Sequence, residues 1–162
     1  MVQGAITAAD LSGGSSSGAS TGGGSTGGGS TAGQTLTASD SSRSLVGGAG
    51  DDTLVADHGP DTLTGNGGAD HFVFQALPWS SSEITDFTPG ADKLDLSALL
   101  HASSYTGSDP VADGYVRLID NGSGGTWVYY DTDGHGSADR WGTFLATLDH
   151  VSPSSITATD IL

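Results

Sequence analysis

Residues Gly47 to Val73 read Gly-Gly-Ala-Gly-Asp-Asp-Thr-Leu-Val, Ala-Asp-His-Gly-Pro-Asp-Thr-Leu-Thr and Gly-Asn-Gly-Gly-Ala-Asp-His-Phe-Val, three nonapeptides laid end to end. Gly50, Gly59 and Gly68 hold one period, and so do Asp52, Asp61 and Asp70 and the apolar Leu54, Leu63 and Phe72. A period kept by three residue classes at once outranks any local motif in deciding the fold. The glycines allow a tight turn through the first six residues of each unit, including positive φ. The aspartate ends the turn as a short, hard oxygen donor, and the apolar residue two places on points inward from a very short strand. A unit this small buries nothing alone, so successive units must stack into a solenoid. With two units per coil, turns eighteen residues apart share an edge, which sets Asp52 and Asp70 facing one another among backbone carbonyls. Two carboxylates with several carbonyls suit a six- to eight-oxygen Ca²⁺ site better than Mg²⁺, which keeps more of its water.

This Gly-Gly-x-Gly-x-Asp-x-apolar-x pattern resembles the repeats of the RTX family of secreted bacterial proteins. The resemblance implies a calcium-binding parallel β-roll. It places ligands at Gly47, Gly48, Ala49, Gly50 and Asp52 in the first turn and at Gly65, Gly67, Gly68 and Asp70 in the third. The middle unit departs from it, with Ala56-Asp57 for the glycine pair and Pro60 inside the turn, so Asp61 marks a weaker site.

Composition agrees. The 162 residues include 27 glycines and no cysteine, with a formal net charge of −15. Asp and Glu number 19 together, yet Glu83 is the single glutamate, a bias toward side chains that work inside turns. The four basic residues, Arg43, Lys93, Arg117 and Arg140, are scattered, so no patch is present to grip nucleic acid or an anionic membrane. No apolar run is long enough for a transmembrane helix, and the N-terminus lacks the layout of a cleaved signal peptide. Stability must come from the core and bound metal, so the ion-free chain is expected to be poorly folded. A monomer is expected.

Working outward, Leu36 and Leu45 carry the period backwards from Leu54 as a non-ligating start to the stack. Residues 34–73 are therefore read as the roll with its N-terminal cap. Residues 12–33 are low-complexity Gly/Ser/Thr, expected to act as a flexible tether. Before it, Ala5-Ile6-Thr7-Ala8-Ala9-Asp10-Leu11 nearly repeats the chain's end, Ile156-Thr157-Ala158-Thr159-Asp160-Ile161-Leu162. Residues 1–11 are read as the end of an upstream domain, with coincidence as the competing explanation.

Residues 74–162 are expected to form a compact β-rich cap, giving an all-β fold: a short parallel β-roll followed by that cap. His71 to Phe74 reads as a strand leaving the roll. The run Ile84-Thr85-Asp86-Phe87 through Lys93-Leu94-Asp95-Leu96-Ser97 reads as strand, turn and strand. It resembles the segment after the roll in serralysin-type metalloproteases, and Asp86, Asp92 and Asp95 offer a further ion site or plain turn caps. Gly114 to Ile119, Thr126 to Tyr130 and Trp141 to Leu148 read as strands. The turn from Asp131 to Asp139 resembles Asp-x-Asp-Gly calcium loops, with Asp131, Asp133 and Asp139 as ligands, though it lacks the EF-hand's bidentate glutamate. The alternative there is an ordinary hairpin turn. The ending Asp160-Ile161-Leu162 is similar to the uncleaved C-terminal export signals of serralysin-type proteins. By that resemblance the chain is secreted through a type I apparatus.

Enzyme activity is not expected. The five histidines form no His-Glu-x-x-His, and nothing marks a glycosidase carboxylate pair. The alternative function is an accessory carbohydrate-binding module: Trp127 and Tyr129 share one strand face, and a neutral glycan suits the acidic chain better than an anionic one. In this family, epimerases acting on alginate carry RTX modules that help hold polymer.

Overall fold

The computed structural model describes residues 25–26, 30–38, 44–134 and 142–162. Residues 1–11, most of 12–33, Asp139 and Trp141 lie outside the described residues.

The nine-residue period becomes a roll of two parallel sheets. One sheet contains β1 (Ser25–Thr26), β3 (Ser44–Val46), β5 (Thr62–Thr64) and β7 (Ser82–Ile84); the other contains β2 (Thr35–Thr37), β4 (Thr53–Ala56), β6 (His71–Phe74) and β8 (Lys93–Asp95). Register follows the repeat. Leu36 pairs with Leu54 and Leu54 with Phe72 in one sheet, and Leu45 pairs with Leu63 in the other. The three-residue strands β2, β3 and β5 each bury their central side chain between two outward neighbours. Leu36, Leu45, Leu54, Leu63, Phe72, Ile84 and Leu94 form a buried column between the sheets. Truncating one such leucine costs about 2–5 kcal/mol in comparable cores.

Both sheets continue past Val73. Strand β6 stays inside the roll, between β4 and β8, and does not leave it. The cap grows from the first sheet. Strand β11 (Thr143–Leu148) runs parallel to β7, β10 (Thr126–Tyr130) runs antiparallel to β11, and β9 (Val116–Asp120) is the outer neighbour of β10. The roll and cap therefore share one seven-stranded sheet and one hydrophobic core.

Two expectations need correction. The stretch Lys93 to Ser97 is not all strand: β8 stops at Asp95, and Ser97–Ala102 form a short helix, α1, that buries Leu99 and Leu100. Asp95 turns the chain by accepting the Ser97 N–H at 3.0 Å and its hydroxyl at 2.6 Å. The segment read as tether also contributes to the roll. Ser25–Thr26 pair with β3, and the Ala49 N–H donates to the Ser30 carbonyl at 2.6 Å. Composition hid this because the pairing runs through backbone groups, which any residue type supplies. A Cβ on Gly50 would sit 2.7 Å from the Thr31 carbonyl oxygen.

Candidate metal-binding edge

The turns that lead from the first sheet to the second all fall on one edge of the roll. Residues 47–52 link β3 to β4, residues 65–70 link β5 to β6, and residues 85–92 link β7 to β8. Asp52, Asp70 and Asp92 end these turns, and their side chains are buried, Asp52 and Asp70 at 1% exposure. They stand in file rather than face to face. Asp52 Oδ1 accepts the Gln34 N–H at 2.7 Å, Asp70 Oδ1 the Asp52 N–H at 2.8 Å, and Asp92 Oδ1 the Asp70 N–H at 2.9 Å. The second oxygen closes its own turn: Asp52 Oδ2 accepts the Gly48 N–H, and Asp92 Oδ2 the Thr88 N–H at 2.8 Å.

The glycines are needed for this approach. A Cβ on Gly47 would overlap Asp52 Oδ2 and sit 2.6 Å from the Gly65 carbonyl oxygen, and one on Gly65 would overlap Asp70 Oδ2. Gly68 has φ +123° and would bring a Cβ within 2.6 Å of the Gly50 carbonyl. The adjoining turns are stitched by Gly67 N–H to Gly48 O (3.1 Å), Asn66 Nδ2 to Gly47 O (2.9 Å) and Ala69 N–H to Asp51 Oδ1 (2.8 Å). Sequence reading therefore placed Gly47, Gly48, Ala49, Gly50, Asp52, Gly65, Gly67, Gly68 and Asp70 in two adjacent turns, and the structure stacks them there.

Electrostatics set this edge apart. Burial, reinforced by the charges of Asp92, Asp52 and Asp86, pushes the Asp70 carboxyl up to about 6 against the pull of the Asp52 N–H. Burial also raises Asp92. Among the described residues, no Lys or Arg forms an ion pair with Asp52, Asp70 or Asp92; the Lys93 ammonium lies 3.6 Å from Asp160 Oδ1. A file of desolvated carboxylates with backbone oxygens around it fits a hard, oxygen-seeking dication. Among the described residues, no three His, Cys, Asp or Glu side chains converge on one point. Any ion on this edge must therefore draw on main-chain carbonyls.

The remaining candidates lie elsewhere. Asp61, also 1% exposed, ends a turn on the opposite edge, where its Oδ2 accepts the Asp57 N–H at 2.8 Å. The next coil offers the Ser82 hydroxyl at 3.4 Å from the Asp61 nitrogen instead of a carboxylate, so among the described residues no second carboxylate follows Asp61 on that side. Asp131 is buried after β10 and accepts the Asp133 N–H at 3.2 Å, while Asp139 lies outside the described residues. Asp86 accepts the Gly65 and Asn66 N–H groups of the preceding turn at 2.9 and 2.7 Å, and Asp95 accepts the N–H of Ser97, the first residue of α1. Asp160, which the sequence marks through the terminal repeat and the resemblance to an export signal, extends the same edge: Gly90 donates its N–H to Oδ1 at 2.9 Å.

Residues 18–125 match the family described as Peptidase M10 serralysin C terminal. The chain belongs to the serralysin C-terminal family. Among solved structures it is similar to the AlgE6R3 subunit of the mannuronan C5-epimerase of Azotobacter vinelandii. That match has 25% identity over 80% of this chain and 77% of that one, with a TM-score of 0.48. No curated protein sequence matches the chain. The family match ends at residue 125, before β10 and β11, so it spans the roll, α1 and the first cap strand. Among the described residues, no helix of this serralysin C-terminal module is long and apolar enough to cross a membrane.

Proposed function

We propose that this chain is a calcium-binding RTX module of a secreted protein, which folds on calcium outside the cell and stabilises a domain attached upstream. The observation that carries this reading is the buried file Asp52, Asp70 and Asp92, which lacks an ion-paired cation among the described residues and has the Asp70 carboxyl raised by burial and like charge. Membership of the serralysin C-terminal family supports it. In the cell, where free calcium is scarce, repulsion along this edge keeps the chain unstacked and able to thread through a type I transporter. Outside, Ca²⁺ supplies the missing positive charge. The two turns come together only in the stacked roll, so the free energy of binding becomes free energy of folding. The module's role is folding and export rather than catalysis, and its partners are calcium, the transporter and the linked domain.

The test is a calcium titration from a chelated start, followed by far-UV circular dichroism with magnesium as control. Cooperative gain of β signal with calcium and none with magnesium is the expected result. A calcium-free chain that is already fully folded, and that calcium leaves unchanged, would overturn the reading.

The accessory glycan-binding reading has one feature in its favour: Trp127 on the open face of β10 is 38% exposed. Its neighbours are less available. Tyr129 and Phe144 stack on each other with centroids 4.9 Å apart, and Tyr130 is buried. Calcium-driven folding is therefore the function supported best.

A further inference from the structure

The last seven residues close the second sheet. Ile161 bridges Leu94 in parallel, the Leu162 N–H donates to the Leu94 carbonyl at 3.0 Å, and the Leu162 carbonyl accepts the Leu96 N–H at 2.8 Å. Asp160, 1% exposed, is the polar anchor. Its Oδ1 takes the Gly90 N–H at 2.9 Å and lies 3.6 Å from Lys93 Nζ, and its Oδ2 takes the Thr157 N–H at 2.8 Å and hydroxyl at 2.9 Å. Ile156 and Ile161 are buried in the common core. Recognition by the β8 edge thus rests on an Ile, a Thr two-sidedly tied to an Asp three residues on, and a final aliphatic residue.

Those are the residues that recur near the start of the chain. Ile6, Thr7, Ala8 and Asp10 are identical to Ile156, Thr157, Ala158 and Asp160. Leu11 replaces Ile161, aliphatic for aliphatic. Ala9 replaces Thr159, whose hydroxyl meets only the Thr157 hydroxyl, at 2.8 Å. Of the two differences within Ile156–Ile161, one falls on a hydroxyl outside the Asp160 anchor and the other keeps a buried aliphatic side chain; one place further on, Ser12 stands opposite Leu162, which is 42% exposed and pairs through its backbone.

We propose that the β8 edge is a peptide-binding site for Ile-Thr-x-x-Asp-aliphatic sequences, and that Ile6–Leu11 is its second ligand in this chain, competent to replace Ile156–Leu162. Covalent reach permits the exchange. Residues 12–24 extend to roughly 40 Å at most, against about 20 Å from the first rung of the roll to the edge beyond β8 at ordinary strand spacing. The exchange frees Asp160-Ile161-Leu162 while the end of the sheet stays covered. It does not depend on the calcium reading, since the contacts are hydrogen bonds, one ammonium and apolar burial.

The experiment deletes residues 156–162 and follows urea unfolding by circular dichroism in calcium buffer. The expected result is a folded truncated chain that loses its fold on Asp10→Asn, while Asp10→Asn in the full chain leaves the midpoint unmoved. A truncated chain that is folded but indifferent to Asp10→Asn would overturn the proposal. If the truncated chain is unfolded, the peptides Ile6–Leu11 and Ile156–Leu162 are added separately. Rescue by both, with an Asp→Asn version of either weaker by about tenfold or more, supports the site; rescue by the C-terminal peptide alone, or by neither, overturns it. A full chain carrying T159A and I161L, which writes Ile6–Leu11 into positions 156–161, should keep the parent midpoint, and a marked fall would count against the proposal.

Discussion

Asp52 donates its backbone N–H to the carboxylate of Asp70, eighteen residues later, at 2.8 Å, and Asp70 repeats the gesture toward Asp92 at 2.9 Å. One oxygen of each buried acid is thereby tied to the coil beneath it. Asp52 and Asp92 tie the other to the start of their own turns. The negative charges accumulate along one edge, where their hydrogen-bond partners are backbone N–H groups and Lys93 offsets part of the charge at Asp92. This explains why the repeat needs aspartate: a glutamate, one methylene longer, would overshoot the N–H of the preceding coil in a turn already packed against Gly47 and Gly65.

Asp70→Asn should separate structure from charge. The amide oxygen can still accept the Asp52 N–H, but the site loses one of its formal charges. Calcium affinity, read by isothermal titration, should fall on the order of tenfold or more. In chelator, the same variant should be no less stable than the parent, because it removes repulsion from Asp52, Asp92 and Asp86. A variant that binds calcium like the parent would place the ion elsewhere.

Acidification should substitute in part for calcium. The Asp70 carboxyl sits at about 6 in the folded state, above its ordinary 3.8, so the folded state holds that proton more tightly than the unfolded state. Folding of the calcium-free chain is therefore favoured as pH falls from 7 toward 5, and that gain disappears as pH rises through 6. Asp92 shifts the same way. In saturating calcium the trend should reverse, because protons then compete with the ion. Urea midpoints measured in chelator at pH 5 and pH 7.5 check the sign.

Glycine substitutions should discriminate the stacked turn from an open one. Gly68 and Gly90 both have positive φ, but a Cβ on Gly68 meets the Gly50 carbonyl and one on Gly90 meets nothing within 4 Å. Gly90→Ala should cost only the backbone term, about 1–2 kcal/mol, and Gly68→Ala clearly more. Equal losses would mean that the turns at 47–52 and 65–70 are not in contact.

How much of this was readable in advance follows from where the period holds. Leu36, Leu45, Leu54, Leu63 and Phe72 keep strict spacing, and all five became core rungs at their expected places. Beyond Phe72 the rungs continue at Ile84 and Leu94, but longer turns break the count, so Asp92 reads as one of three acids offering either a separate ion site or plain turn caps, not as a continuation of the Asp52 and Asp70 file. Asp160 was harder still. Its rung is supplied by the far end of the chain, and no local pattern reports which distant strand a segment will join. Ser82 illustrates the converse limit: it occupies an aspartate's position on the opposite edge, which the sequence shows only once the register is known. The docking of 25–26 and 30–33 escaped composition because its pairing runs through backbone groups, which any residue type supplies.

Lys93 and Asp160 give the last prediction. Burial alone would raise the Asp160 carboxyl, but the N–H groups of Thr157 and Gly90, the Thr157 hydroxyl and the Lys93 ammonium outweigh it and hold the group below 3.8. A depressed folded value contributes stability that is present above the unfolded pKa and is lost as pH falls through the folded one. The C-terminal segment should therefore detach in strong acid, opposite in sign to the Asp70 effect. Lys93→Met keeps the aliphatic stem against the roll and removes one of the four restraints, so it should weaken the docked segment by roughly 1 kcal/mol, with Asp160→Asn costing more because it also weakens the charge-assisted N–H bonds. Amide hydrogen exchange at Leu162, whose N–H is held by the Leu94 carbonyl, reads this directly. Protection there should fall in the order parent, Lys93→Met, Asp160→Asn, while protection at Leu54, deep in the roll, stays unchanged in Lys93→Met. If exchange at Leu54 and Leu162 rises together in that variant, the C-terminal segment is not a separable closing rung but part of a single unfolding unit.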